Sequence, residues 1–257
     1  MKSNWINKDE RANKAFSHTK EMSKKYHDEI LFSIKNSIIT QPDSEPAKVE
    51  SIYDSMNISV IQGTSTDAIV QECTENTRVA VLNFASYKHA GGGYMKGALA
   101  QEECLCADSF LYNVLRADRF SEEFYERNME RLNNGLYNDN LIYVPKVKFL
   151  DRYTCDVITC AAPNHGVAIR RGISDSACID AMRSRINAVL NVAYNMNVET
   201  LILGAFGCGV FKNEPLIVAS IFREYLTTSY MGAFSNVIFA IPDEPTYTVF
   251  SSTFYKP

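Results

Sequence analysis

Three consecutive glycines, Gly91, Gly92 and Gly93, are followed after seven residues by Gln101, Glu102 and Glu103. Glycine allows a backbone to take positive φ and to approach a ligand with no Cβ in the way, and amides left free near a helix start favour phosphate oxygens. Adjacent carboxyls at such a start can give and take protons or steady a developing positive charge. Each feature alone has a plainer use, the glycines as a flexible turn and the glutamates as partners of the helix dipole. A second glycine-rich stretch, Gly204-Ala205-Phe206-Gly207-Cys208-Gly209-Val210-Phe211-Lys212-Asn213, leads to Pro215, a residue suited to the first turn of a helix.

Both stretches must be held by regular elements. Apolar, β-branched runs predict strands over Ile58–Gln62, Arg78–Phe84, Leu141–Val147, Asp156–Ala162, Thr200–Gly204 and Asn236–Ile241. Helices are predicted over Gln101–Arg116, Ser121–Leu132, Ser174–Asn195 and Pro215–Thr227, the third with Ile179, Met182, Ile186, Val189 and Ala193 on one stripe. Strands alternating with helices imply a three-layer α/β/α sandwich, and in open sheets of that kind ligands bind where the strands end and the loops converge. The loops after Phe84 and after Gly204 are therefore the candidate site. Upstream, Ala15, Met22, Tyr26, Ile30 and Ile34 recur at helical spacing between Lys8 and Asn36, and Pro42 and Pro46 mark a loop. The expected division is an N-terminal helical extension, 1–50, packed on a core of 51–257.

The bulk composition narrows the classes. A chain of 257 residues with 46% hydrophobic and 22% charged residues can bury one substantial core. A net charge of −4 excludes the global basicity of a general nucleic-acid binder, so an anionic ligand has to be gripped locally. Seven scattered cysteines and four histidines show no metal-ligand spacing, which points to reduced thiols, no metal and no cofactor. The first twenty residues contain no apolar run suited to a secretion signal or membrane span, so a cytoplasmic or otherwise intracellular location is expected. Neither glycine stretch continues into Gly-Lys-Ser/Thr, which disfavours an NTPase.

The three glycines followed at short fixed distance by Gln-Glu-Glu resemble the signature of the bacterial-type poly(ADP-ribose) glycohydrolases, which are built on a macrodomain with a mixed central sheet. The second stretch resembles that family's second phosphate-binding loop, and Ala161-Ala162-Pro163-Asn164 resembles another family segment. The resemblance implies hydrolysis of the ribose–ribose bond of poly(ADP-ribose), from chain ends, with ADP-ribose and its polymer, free or protein-attached, as ligands. It implies Glu103 as general acid/base and Glu102 as the group that holds the ribose hydroxyls. Asn83 would bond a ribose hydroxyl, Phe211 would wall the terminal ribose, and the diphosphate would lie on amides of Gly92, Gly93, Gly207, Gly209 and Val210. Gly91, Gln101 and Cys208 complete the implied site. His89 and Lys212 depart from the family pattern and bear on substrate preference.

Breaking a ribosyl C1″ bond builds oxocarbenium-like charge and requires an acid for the departing oxygen. Paired glycosidase carboxyls face each other across the sugar at about 5 to 9.5 Å, whereas helix neighbours point roughly 100° apart from one side. One acid/base is therefore expected in place of a covalent pair. Two alternatives stay open: a hydrolase of ADP-ribose linked to protein or nucleic acid, and a non-catalytic ADP-ribose binder.

Overall fold

Runs apolar at nearly every position become strands buried on both faces, and seven strands form one sheet. In chain order these are β1 (Ile38–Thr40), β2 (Asn57–Ile61), β3 (Val79–Phe84), β4 (Leu141–Phe149), β5 (Tyr153–Cys160), β6 (Thr200–Leu203) and β7 (Asn236–Ala240). The computed structural model describes residues 7–40 and 49–255, so the loop expected at Pro42 and Pro46 lies outside the described residues. The spatial order is β1-β4-β5-β3-β6-β7-β2. The strands from β5 through β2 run parallel, and β4 is antiparallel to both β5 and β1, which makes the sheet mixed.

Strand alternation divides the interior into two cores. Ala80, Leu82, Ile158, Leu201, Val237 and Phe239 face one side and meet helices Asp175–Asn195 and Pro215–Thr227 through Met182, Ile186, Val189 and Phe222. Val79, Val81, Val157, Ile202 and Ile238 face the other and meet Ala15, Met22, Ile30, Ala68, Leu105 and Leu111. The three-layer α/β/α sandwich expected from the sequence is the observed architecture. Helices Lys8–Lys25 and His27–Asn36 belong to the second of these cores.

Several helices break where a continuous one was expected. The lead-in divides at Tyr26, whose φ of −121° leaves the helical region while its hydroxyl donates to Asp151 at 2.7 Å. The stretch expected over Gln101–Arg116 divides into Gln101–Ala107 and Leu111–Leu115. Between them Ser109 hydroxyl donates to Leu105 carbonyl and accepts from Leu111 N–H, local bonds that compete with the helical ladder. The stretch from Ser121 passes through a wide π-type turn, Ser121–Glu126, before Arg127–Glu130. Helices Ser65–Glu72, His165–Arg170 and Glu244–Tyr255, and the edge strand β1, were not anticipated.

One charged side chain ties the carboxyl end of β5 to the segment that leads into β4. Arg185, fully buried, donates to Asp139 at 2.7 Å, to Leu136 carbonyl at 3.1 Å and to the carbonyl of Ala161 just beyond β5. Replacing it by methionine leaves two carbonyls without a donor, so Arg185→Met is expected to lower unfolding free energy by about 3 kcal/mol. Urea unfolding monitored by fluorescence measures this, and a loss below about 0.5 kcal/mol would mean the network is dispensable.

Candidate active site

The two glutamates are placed by their neighbour. Gln101 accepts from Phe84 N–H at 2.8 Å and donates to Leu82 carbonyl at 2.8 Å and Ser65 hydroxyl at 3.0 Å. Its amide thus bonds the backbone of the last residues of β3 and fixes helix Gln101–Ala107 against the strand end. The amide is fully engaged within the protein, which makes Gln101 a positioning residue in this structure. Glu102 is buried and accepts from Ser86 N–H at 2.7 Å, Asn83 side-chain amide at 3.2 Å and the Gly91 amide. Glu103, also buried, accepts from Gly93 N–H at 2.7 Å and reaches back to Ala100 N–H at 3.1 Å.

The triple glycine therefore wraps carboxylates. The sequence suggested that Gly92 and Gly93 offer amides to a diphosphate, but here Gly92 N–H donates to His89 carbonyl at 3.0 Å and Gly93 N–H to Glu103. Gly92 has φ 57°, and a Cβ there would lie 2.6 Å from Glu103 Oε1 and 2.9 Å from Glu102 Oε2. Both carboxylates converge on that one point. They come from the same side, as adjacent residues must, yet the side chains bend toward each other and lose the divergence expected from the backbone. Burial, opposed by the three N–H donors, raises the Glu102 carboxyl from 4.5 to about 8, and Glu103 beside it adds to the rise.

Asn83 is fully buried, donating to Glu102 and, at 3.3 Å, to Thr159 hydroxyl, while its side-chain oxygen has no partner among the described residues. It orients Glu102 in this structure.

Helix Lys8–Lys25 grips the far end of the glycine loop. Arg11 donates to Gly97 carbonyl at 2.8 Å, His18 bonds Tyr94 hydroxyl at 2.9 Å, and Thr19 hydroxyl reaches Met95 sulfur at 3.8 Å. Gly97 has φ 69°, and a Cβ there would lie 2.0 Å from Lys8 carbonyl oxygen. Sequence reasoning missed this clamp because its partners are separated by 76 to 86 residues.

The second loop supplies the opposite wall. Asn213 staples it by donating to Pro163 carbonyl at 2.8 Å and Gly207 carbonyl at 3.0 Å. The amides of Gly207, Gly209, Val210 and Phe211 have no protein acceptor among the described residues, so the row of free donors lies here and not in the first loop. Cys208 is half-buried, and the desolvation of its thiol pushes it up to about 12, away from the reactive thiolate. Phe211 meets Tyr137 edge-on at 6.1 Å, and Tyr137 stacks on Tyr87 at 4.0 Å, which ties the two loops together. Between them opens a cavity of about 670 Å³ bordered by Phe84, Gln101, Phe206, the second loop and, unforeseen, Thr64–Thr66 at the start of helix Ser65–Glu72. Its lining includes Ala100 and Gln101, the residues that lead directly into Glu102 and Glu103. No helix among the described residues is long and apolar enough to cross a membrane.

Fold and site define an α/β domain with a ligand cleft at the strand ends and a buried carboxyl pair at its edge. The chain belongs to the microbial-type PARG family, whose catalytic-domain description matches residues 8–151. No curated protein matches the chain. Among solved structures, poly(ADP-ribose) glycohydrolase from Thermomonospora curvata is 29% identical with a TM-score of 0.84, covering 95% of this chain and 99% of its own. The enzyme from Deinococcus radiodurans in complex with ADP-ribose is 34% identical with a TM-score of 0.79, covering 87% and 96%. The Thermomonospora curvata enzyme bound to the inhibitor ADP-HPD is 30% identical over the same 95% and 99%, with a TM-score of 0.79.

The clamp generates a controlled comparison. Gly97 and Gly172 both hold positive φ, but only Gly97 has backbone where a Cβ would go, Gly172 having nothing within 4 Å. Gly97→Ala is expected to destabilise by about 2 kcal/mol more than Gly172→Ala, as overpacking against a helix backbone does. Equal shifts in thermal unfolding would show that the first helix yields freely.

Proposed function

We propose that this protein hydrolyses the ribose–ribose O-glycosidic bond of poly(ADP-ribose) and releases ADP-ribose, working from chain ends. The observation that carries it is the convergence of Glu102 and Glu103 on Gly92, beside a cleft whose other wall offers free amides. A volume of about 670 Å³ lies in the range of sites for ligands of this size. Family membership and relatives solved with ADP-ribose and ADP-HPD support the same ligand class.

In this scheme the diphosphate lies on the amides of Gly207, Gly209, Val210 and Phe211, and the Phe211 ring walls the terminal ribose. Glu103 gives its proton to the departing ribose oxygen as the C1″–O bond breaks, and the oxocarbenium-like charge develops beside the carboxyl pair. Water then attacks C1″ and returns a proton to Glu103. Glu102, neutral near pH 7 because of its burial, donates to a ribose hydroxyl and keeps the two carboxyls from repelling each other. Two carboxyls on one side of the sugar suit a single acid/base better than a nucleophile facing an acid.

Two outcomes test the assignment. Glu103→Gln is expected to retain ADP-ribose binding by calorimetry and to lose about 10²- to 10⁴-fold in turnover of poly(ADP-ribose) followed by chromatography. Wild type that binds ADP-ribose but never releases it from polymer makes the protein a binder, and oligomeric fragments as early products would count against cleavage from chain ends. The second outcome concerns pH. A carboxyl raised from 4.5 to about 8 keeps its proton in the folded state while the unfolded chain releases it, so Glu102 lowers stability progressively as pH rises from 4.5 to 8. Relative to Glu102→Gln, wild type should lose stability across that window and lose activity above about pH 8. Parallel stability curves for the two proteins would show that Glu102 ionises normally.

A further inference from the structure

The second loop contains a cation that this chemistry leaves unused. Lys212 holds φ 63°, a conformation that costs a lysine about 1 kcal/mol or more. The turn lays its side chain over Gly166, where an added Cβ would come 3.3 Å from Lys212 Cγ and 3.7 Å from Nη1 of Arg170. Gly166 is not at positive φ, so its bare Cα provides room and not conformational freedom. Helix His165–Arg170 is joined to the loop by the Gly166 amide, which donates to Phe211 carbonyl at 3.1 Å. The stem of Lys212 and the guanidinium of Arg170 thus both border the space over Gly166, and neither residue forms an ion pair among the described residues. Asp175, an acidic group near this helix, is taken by His165 at 2.8 Å.

The placement separates these cations from the amide row. Lys212 is the one cationic residue bordering the cavity among the described residues, but its stem leans on Gly166 and toward exposed Arg170. The platform under these cations is Gly166 of helix His165–Arg170, whereas the free amides belong to Gly207, Gly209, Val210 and Phe211, so an anion held between the cations rests on a different element from one held on the amides. A polymer of ADP-ribose carries a diphosphate in every unit. Once one unit occupies the cleft, the next presents its own diphosphate across the scissile bond, and a chain of net charge −4 has to attract it locally.

We propose that Lys212 and Arg170 form a second anion subsite that holds the diphosphate of the polymer unit neighbouring the one in the cleft. This rests on the glycohydrolase assignment above and adds to it a preference for polymer over a single ADP-ribosyl group. The shared glycine platform lets a lysine and an arginine approach one diphosphate together, with the guanidinium fork supplying paired donors.

The test uses the full chain, with poly(ADP-ribose) of defined length and free ADP-ribose as probes. Polymer binding is measured by fluorescence anisotropy in a Glu103→Gln background, so that it does not depend on turnover, and hydrolysis is measured separately on otherwise wild-type protein. Arg170→Gln removes an exposed charge, Lys212→Asn removes the other with a residue that tolerates positive φ, and Lys212→Arg restores it. The double variant is expected to raise polymer Kd, and polymer KM, about three- to tenfold at low salt, with a shallower salt dependence. Lys212→Arg should stay near wild type, and ADP-ribose affinity of Arg170→Gln should be unchanged. Polymer affinity that is unaltered in the double variant overturns the subsite. A parallel loss of ADP-ribose affinity overturns it as well, because the cations would then serve the diphosphate in the cleft. Failure of wild type to release ADP-ribose from polymer would instead strike the glycohydrolase assignment, leaving the anisotropy comparison to decide the subsite.

Discussion

Burying two carboxyls side by side is unfavourable, and much of the molecule around them serves to offset it. The offset comes from backbone amides of one loop, those of Ser86, Gly91, Gly93 and Ala100, each aimed at an oxygen of Glu102 or Glu103. Such a loop has to fold tightly around the side chains it solvates, which is why Gly92 tolerates no Cβ. The loop in turn needs anchors: Gln101 fastens the helix start to β3, and helix Lys8–Lys25 fastens the far end. Remove any anchor and the carboxyls regain water at the expense of their convergence.

The division of labour between the loops follows from this constraint. A loop that spends its amides on carboxylates has few left for an anion, so the free donors reside across the cleft on the second loop. Amides carry no net charge, and a protein of net charge −4 can thereby bind a diphosphate without a cluster of cations in the cleft itself. Lys212 is the cationic residue that borders the cavity among the described residues, and its stem shares Gly166 with Arg170.

The sheet was readable from sequence because strands buried on both faces need apolar residues at almost every position, as in Val79–Leu82 and Leu201–Leu203. The glutamates were readable because their motif is compact in sequence. The same compactness misled on the glycines, since a run that suits a phosphate suits a carboxylate equally, and only coordinates say which oxygen arrives. Helix His165–Arg170 had a local signal that went unused, the Asn164 side chain capping Val167 N–H at 3.0 Å. Thr64 and Asp67 formed a capping box of the same kind ahead of Ser65–Glu72. The roles of Arg11, His18 and Tyr137 had no local signal at all, because each depends on a partner brought near only by the completed fold.

The contact between Lys8 carbonyl and Gly97 joins the first helix to the loop with no slack between two backbones. Positions along Lys8–Lys25 and along Tyr94–Gly97 are consequently not free to drift independently, since a change of helix register by one residue would move Arg11 off its carbonyl and His18 off Tyr94 together. The two segments have to fit each other although 76 to 86 residues separate their bonded partners. An exchange of sequence between related chains that divides them would bring together a helix and a loop never fitted to each other.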